Sequence, residues 1–410
     1  MFSSRLERGH APFVPKLAIK IAKNITQDVK MKMKEEHYLA ASMRSANDTS
    51  DDISQFYRKE LKYGRMLGSG AFCDVHELRS LVPDKKYENA SEAKNYKSNR
   101  KKMTAAVKKS KKHHYVVKHL RSSLLKDQRD FHEAAIELIL EAKYLTTLKH
   151  PNIISIHGVA TAGGMAFSDG HHDAFFIVID RLGSTLLDEV IKWKGGRGEQ
   201  GKRLKVSLGK RLKMMIDLAG ALEYLHDRNL VYRDLKPGNI GFDLNGNLRL
   251  FDFGLVAEVP KNGYLTQRSG TVRYMATDCF MGKYDCKADV FSFTVLMWEV
   301  LTLKHYFENK DNLEHVKATI SGTREPLDMK WSTGLRTIFN EGWIGDPNKR
   351  PKMRELRNNL CIETGNSPSV HRIRKKPSKR LTHSPTFETV DTVLSASGRV
   401  SVQNSDGIEA

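Results

Sequence analysis

Residues 230–255, LVYRDLKPGNIGFDLNGNLRLFDFGL, constrain this chain more than any other stretch. Asp234 follows Tyr232 and Arg233 and precedes Lys236 and Asn239, so one tight loop presents a carboxylate, an ammonium and an amide side by side. Moving a phosphoryl group needs such a set: an acceptor for a hydroxyl proton, a cation against the migrating charge, and oxygen ligands for a divalent metal. An alternating strand–turn–strand pattern follows, with Asn245-Gly246 at its turn. Behind it, Asp252-Phe253-Gly254 offers a second metal-binding carboxylate.

A lone DFG is a turn, and such tripeptides recur by chance. YRD with an asparagine five residues after its aspartate, followed by DFG, is far more specific, and it resembles the catalytic loop and metal-binding loop of eukaryotic protein kinases. The resemblance implies an α+β, bilobal protein kinase fold, with a small β-rich N-lobe carrying one main helix and a larger, mostly helical C-lobe. It also implies ATP and Mg²⁺ as cofactors. Asp234 would accept or orient the hydroxyl proton, Lys236 would neutralise charge on the transferring group, and Asn239 and Asp252 would hold the metal.

The chain's 410 residues fit about two or three domains by length alone, or one bilobal domain with tails. Hydrophobic residues make up 40%, enough for a core, yet no apolar run reaches the roughly 18 residues of a membrane span. Lysines interrupt the apolar stretch of the N-terminus, so it lacks a signal-peptide core; its basic, partly amphipathic character suits a cytosolic arm and leaves an organelle transit peptide as the alternative. Cys73, Cys279, Cys286 and Cys361 form no CxxC pair, which fits a reducing interior. The net charge of +20 allows nucleic acid, anionic membrane or acidic protein partners without choosing among them.

Residues 1–60 read as a polar, partly flexible extension whose role the sequence does not disclose, and the kinase resemblance covers 61–361. Leu67, Gly68, Ser69, Gly70, Ala71, Phe72, Cys73 and Val75 resemble the kinase glycine-rich loop, in which glycines let backbone amides approach triphosphate oxygens. Cys73 departs from the pattern, standing where the third glycine falls; it is a tolerated small residue or a redox-sensitive thiol. Residues 82–114 are dense in lysine and read as a solvated, charged insert, with a docking or nuclear-import patch as the alternative. Either Lys108 in AAVKK or Lys118 in YVVKHL resembles the nucleotide lysine; Lys118, in the apolar run, is preferred. The following helix carries Glu133, Glu137 and Glu141, and the family's spacing to the HPN turn selects Glu141 as the lysine's partner. AFFIVIDRLGSTLLDEV at 174–190 is a buried strand running into a connection and a helix. By resemblance it holds the hinge, where backbone groups from Asp180 to Leu182 would meet adenine and Ile179 would guard the back of the pocket.

A second basic insert spans 194–211, and an amphipathic helix bearing Leu212, Met215, Ile216, Ala219, Leu222 and Leu225 follows. Residues 252–278 resemble an activation loop. Thr266 and Ser269 are the candidate acceptors of a phosphate that Arg233 would pair with, Tyr264 ranks behind them, and an upstream activating kinase is implied as a partner. Thr271, with KPGN, resembles the serine/threonine kinases. Ala276-Thr277-Asp278 replaces the family's APE, with Arg350 as the matching arginine, and Thr294 replaces a glycine in a buried helix beginning near Asp289. The segment 287–302 looks closest to the tyrosine-kinase-like group. Residues 362–410 are Ser/Thr-rich without apolar periodicity and read as a disordered tail; its basic cluster at 371–380 suits nuclear import or acidic surfaces, and Ser367-Pro368 and Ser384-Pro385 are candidate modification sites.

The expectation is a serine/threonine protein kinase acting on protein substrates in intracellular signalling, cytoplasmic with nuclear entry open. The departures at Cys73, Tyr232, Thr277-Asp278 and Thr294 keep a catalytically silent scaffold as the rival. A nucleic-acid module is disfavoured, because the basic stretches lack interleaved aromatics for base stacking.

Overall fold

The computed structural model describes residues 15–35, 53–84, 94–109, 114–195, 206–261 and 263–365. Helix α1 (Pro15–Glu35) repeats Ala18, Ile21, Ala22, Ile25 and Val29 along one face, and all five are buried. Six strands then build a sheet: β1 (Ser54–Phe56), β2 (Leu61–Ser69), β3 (Cys73–Leu81), β4 (Tyr115–Leu120), β5 (Ile156–Ala160) and β6 (Phe176–Asp180), in the order β1-β5-β6-β4-β3-β2. Helix α2 (Lys94–Lys109) lies between β3 and β4, and α3 (Gln128–Thr147) follows β4. Asp127 starts α3 by accepting the Arg129 and Asp130 backbone N–H groups at 2.8 and 3.1 Å.

Two expectations change here. The extension over 1–60 contributes α1, β1 and the turn Arg58–Glu60 to the small lobe, with β1 adding parallel to β5 at the sheet edge. The lysine-rich insert, expected as a solvated loop, forms α2 in its described part. Met103 and Val107 of α2 are buried, and the buried Arg100 pairs with Glu60 while lying 4.8 Å over the Phe56 ring. Glu60 also accepts the Tyr57 and Asp84 backbone N–H groups at 2.7 and 2.9 Å, so the buried charges are paired and hydrogen-bonded. The signal was the spacing of Arg100, Met103 and Val107, which the surrounding lysines diluted.

β7 (Leu182–Thr185) leads into α4 (Leu186–Gly195), and Ser207 caps α5 (Leu208–His226). The loop strands are β8 (Leu230–Val231), β9 (Ile240–Asp243), β10 (Leu248–Leu250) and β11 (Ala257–Glu258), paired as β10-β9-β7 and β11-β8. Helices α6 (Lys287–Thr302), α7 (Asn312–Ile320), α8 (Thr333–Gly342) and α9 (Met353–Glu363) complete the large lobe. Buried on all sides from Ala288 to Leu301, α6 is its axis, and α5 packs between it and α9. Asn152, just beyond α3, ties the lobes: its backbone carbonyl accepts Leu250 N–H at 2.8 Å, and its amide donates to Leu248 O at 3.1 Å.

Candidate active site

The loop after β8 takes its shape from α6. Asp289, 1% exposed, accepts the backbone N–H groups of Tyr232 at 2.7 Å and Arg233 at 2.9 Å, and its carboxylate lies 2.9 Å from His226 Nε2. Arg233 is thereby held at φ 72°, a left-handed conformation that a non-glycine residue adopts only under constraint. Tyr232 is buried beneath the loop; its hydroxyl donates to the Phe251 carbonyl and its ring meets Phe253 edge-on at 5.5 Å. This aromatic contact couples the Asp234 loop to the Asp252 loop, where Asp252 also has a left-handed φ of 64°.

Above that frame the expected residues converge. Asp234 Oδ2 accepts from Asn239 Nδ2 and lies against Lys236 Nζ, each at 2.9 Å, while Oδ1 accepts Thr271 Oγ1–H at 2.7 Å and Thr271 N–H at 3.0 Å. Lys118, not Lys108, stands across the cleft, its Nζ 2.7 Å from Glu141 Oε2 and 2.9 Å from Asp252 Oδ1. One cation from β4 thus bridges α3 and the loop of Asp252. Burial alone would lower the Lys118 ammonium, but Asp252 and Glu141 outweigh it and hold it well above the ordinary lysine value. Burial would likewise raise Asp252, yet Lys118 and Lys236 hold it below the ordinary carboxylate range, so it stays ionised. Glu141 goes the other way: burial raises it more than Lys118 lowers it.

The donor set suits a hard divalent cation. Asn239 commits its Nδ2 to the Asp234 carbonyl and carboxylate, leaving Oδ1 as an acceptor, and the Asp252 side chain is 43% exposed to the cleft. Leu67, Gly68 and Ser69 end β2, and Gly70, Ala71 and Phe72 turn into Cys73 and Val75 of β3. Val75 pairs with Lys118 across β3 and β4, placing this turn beside the lysine. Arg121 pins the turn, donating Nη1–H to Gly70 O and N–H to Phe72 O, both at 2.9 Å.

At the connection between lobes, Asp180 N–H donates to Ser155 O at 3.2 Å and Arg181 N–H to His114 O at 2.8 Å. Those two donors are spent, so of the backbone groups expected to face adenine the carbonyls from Asp180 to Leu182 and the Leu182 N–H are left by these two bonds. The Asp180 carboxylate turns away to His157, 2.7 Å distant. Ile179 is buried in β6.

Among the activation-loop hydroxyls, Thr266 and Tyr264 are exposed and Ser269 is half-buried. Gly270 crosses directly over the Asp234 loop at φ 110°, where an added Cβ would meet the Arg233 carbonyl at 2.2 Å. Arg233 Nε donates to the Leu255 carbonyl. Asp278 and Arg350 form a buried pair at 2.9 Å, the shorter carboxylate reaching its arginine.

Asp289, Arg121 and Glu137 were not singled out by sequence reasoning. Asp289 was legible only as a helix start, and Glu137 only as one of three glutamates. Glu137 is partly buried, its Cβ 3.7 Å from the point where a Cβ on Gly254 would stand. Burial and the Asp252 charge push its carboxyl up to about 7, against Lys32, Lys118 and Arg233.

The sequence model described as "Protein kinase domain" matches residues 99–361. Serine/threonine-protein kinase 12 of Arabidopsis thaliana is 31% identical over 253 residues, 58% of this chain and 50% of that protein. Mitogen-activated protein kinase kinase kinase 7 of Drosophila melanogaster is 30% identical over 222 residues, 53% of this chain and 30% of that protein. Serine/threonine-protein kinase STY46 of Arabidopsis thaliana is 25% identical over 308 residues, 74% of this chain and 44% of that protein. The chain therefore spans half or less of the length of these relatives. With the motifs converging on one cleft between a β-rich and a helical lobe, and with the matched region covering more than half its length, this chain belongs to the protein kinase domain family.

Proposed function

We propose that the chain transfers the γ-phosphoryl group of ATP to serine or threonine hydroxyls of proteins. The observation that carries this reading is the shared environment of Asp234: Lys236 at 2.9 Å and Thr271 at 2.7 Å hold its carboxylate in place at the cleft floor. Asp234 orients the acceptor hydroxyl and takes its proton, while Lys236 offsets charge on the transferring group. Lys118, steadied by Glu141, positions the α- and β-phosphates, and the backbone of residues 68–73 covers them. Mg²⁺ held by Asn239 and Asp252 would neutralise the phosphate oxygens. Asp180 and Leu182 supply backbone contacts to adenine. The names of the two Arabidopsis relatives support serine/threonine specificity, and the relatives are compatible with the tyrosine-kinase-like group.

A phosphate added to Thr266 or Ser269 by an upstream kinase would find Arg233 as its cation. Among the described residues no helix is long and apolar enough to cross a membrane; a cytoplasmic site, with nuclear entry through the basic cluster at 371–380, is part of the proposal. The test is phosphoryl transfer from labelled ATP by the purified full chain. Asp234→Asn should lower turnover roughly a hundred- to ten-thousandfold while nucleotide affinity stays near the wild-type value. Retained turnover in that variant would remove the base assignment.

A further inference from the structure

Helix α1 lies outside the matched region 99–361, yet it packs against α3, the helix that carries Glu141, and against the turn Gly163–Asp169. Its buried face is Ala18, Ile21, Ala22, Ile25 and Val29, with Ala22 and Ile25 at 0% exposure. The fit to the turn is close: a Cβ added to Gly164 would stand 2.7 Å from Thr26 Oγ1 and 3.3 Å from Thr26 Cα. One polar contact fixes the register on α3, where His132 Nε2 lies 2.8 Å from Asp28 Oδ2. One helical turn further along, Lys32 presents its charge to Glu137, itself one turn before Glu141. The two helices are thus matched along the stretch that leads to the Lys118–Glu141 contact.

We propose that α1 is a built-in positioning element for phosphoryl transfer: seated through Ile25 and the Asp28–His132 contact, it fixes α3 so that Glu141 meets Lys118. The lysine–glutamate pair must be in place for the nucleotide to be held productively, and it depends on where α3 sits. A helix bridging α3 and the turn at 163–169 limits the sliding and rotation that would withdraw Glu141. Ile25 and Asp28 are positioning residues acting through α3, in the same chain as the site they serve.

The rate part of this inference rests on the phosphotransfer reading above, so the experiment carries a second readout free of activity. Full-length wild type, Ile25→Asp, Asp28→Asn and the exchanged pair Asp28→His with His132→Asp are compared by amide hydrogen exchange and by steady-state kinetics. In Ile25→Asp, exchange within 128–147 should quicken about tenfold while 208–226 stays at wild-type rates, and kcat should fall about tenfold with KM for the protein acceptor unchanged. Asp28→Asn should move both readouts the same way by a smaller factor, and the exchanged pair should bring them back toward wild type. Unchanged exchange in α3 overturns the proposal, as does exchange that rises equally in α3 and α5, which would make α1 a contributor to overall stability only. Loosened α3 with full kcat overturns it as well. If the wild-type chain transfers no phosphoryl group, the function reading fails, and the exchange pattern alone still decides whether α1 holds α3.

Discussion

Asp289 accepts the backbone N–H of Arg233 at 2.9 Å from 56 residues further along the chain. A buried carboxylate on the axial helix of the large lobe thereby sets the backbone immediately before the catalytic candidate Asp234. The arrangement explains how Arg233 sustains a positive φ: Asp289 satisfies two consecutive N–H groups that the turn leaves pointing inward. The geometry of this candidate site is a product of packing as much as of the loop's own sequence.

Asp289→Ala would strip the acceptor from both N–H groups and from His226 at a site 1% exposed. The expected loss is about 3–5 kcal/mol in urea unfolding, with turnover lost in the molecules that remain folded. Asp289→Asn keeps one oxygen acceptor and should fall between. A loss under about 1 kcal/mol for the alanine variant would show that the loop holds itself.

Thr294 and Gly342 exchange bulk across the α6–α8 seam. Thr294 is fully buried, with Oγ1 donating to Val290 O at 2.8 Å, and a Cβ on Gly342 would stand 2.2 Å from Thr294 Oγ1. The threonine that departs from the family's glycine is accommodated by a glycine opposite. Gly342→Ala should therefore destabilise by about 1–3 kcal/mol through overpacking, and Thr294→Gly in the same chain should recover part of it. Thermal unfolding of the two single variants and the double variant forms the cycle; additivity would dissolve the link.

The candidate catalytic and metal-binding loops could be read from the sequence because their chemistry is local: Asp234, Lys236 and Asn239 sit within six residues of each other, and no tertiary knowledge is needed to group them. Glu141 required the family's spacing to be chosen from three glutamates, whereas Lys118 was preferred to Lys108 because it lies in an apolar run. Asp289 and Arg121 stayed hidden because each acts on backbone groups distant in sequence, and a single aspartate or arginine carries no pattern. Helices α1 and α2 were obscured differently. Their buried stripes of small and medium side chains run between lysines, so the average polarity of each segment masks one apolar face.

Cys73 can be separated into its two sequence readings by reactivity. Burial pushes its thiol up to about 12, against the opposing charge of Lys118 and with the carboxylates of Glu141, Asp252 and Glu137 adding to the rise. From an ordinary value of 9.0, the thiolate fraction at neutral pH drops about a thousandfold. Iodoacetamide at pH 7.5, followed by peptide mass analysis, should label Cys73 far more slowly than a free thiol. Rapid labelling would mean that Lys118 governs the thiol and would restore the redox-sensitive reading.

Glu137 gives the pH dependence a defined sign. Its folded carboxyl, pushed up to about 7 by burial first and Asp252 second, keeps a proton that the unfolded chain releases near 4.5. Between those values the folded state binds more protons, so this group's contribution to stability falls as pH rises and levels off above about 7. Glu137→Gln has no such titration and keeps the length of the side chain on α3. The variant should match wild type below about pH 4.5 and melt roughly 2–4 °C higher at pH 8. Measuring both proteins across the range isolates the difference from all other titrating groups. A variant less stable than wild type at pH 8 would reverse the conclusion: Lys32 and Arg233 would then make the ionised carboxylate a net asset, and the charge on α3 would bind these elements together.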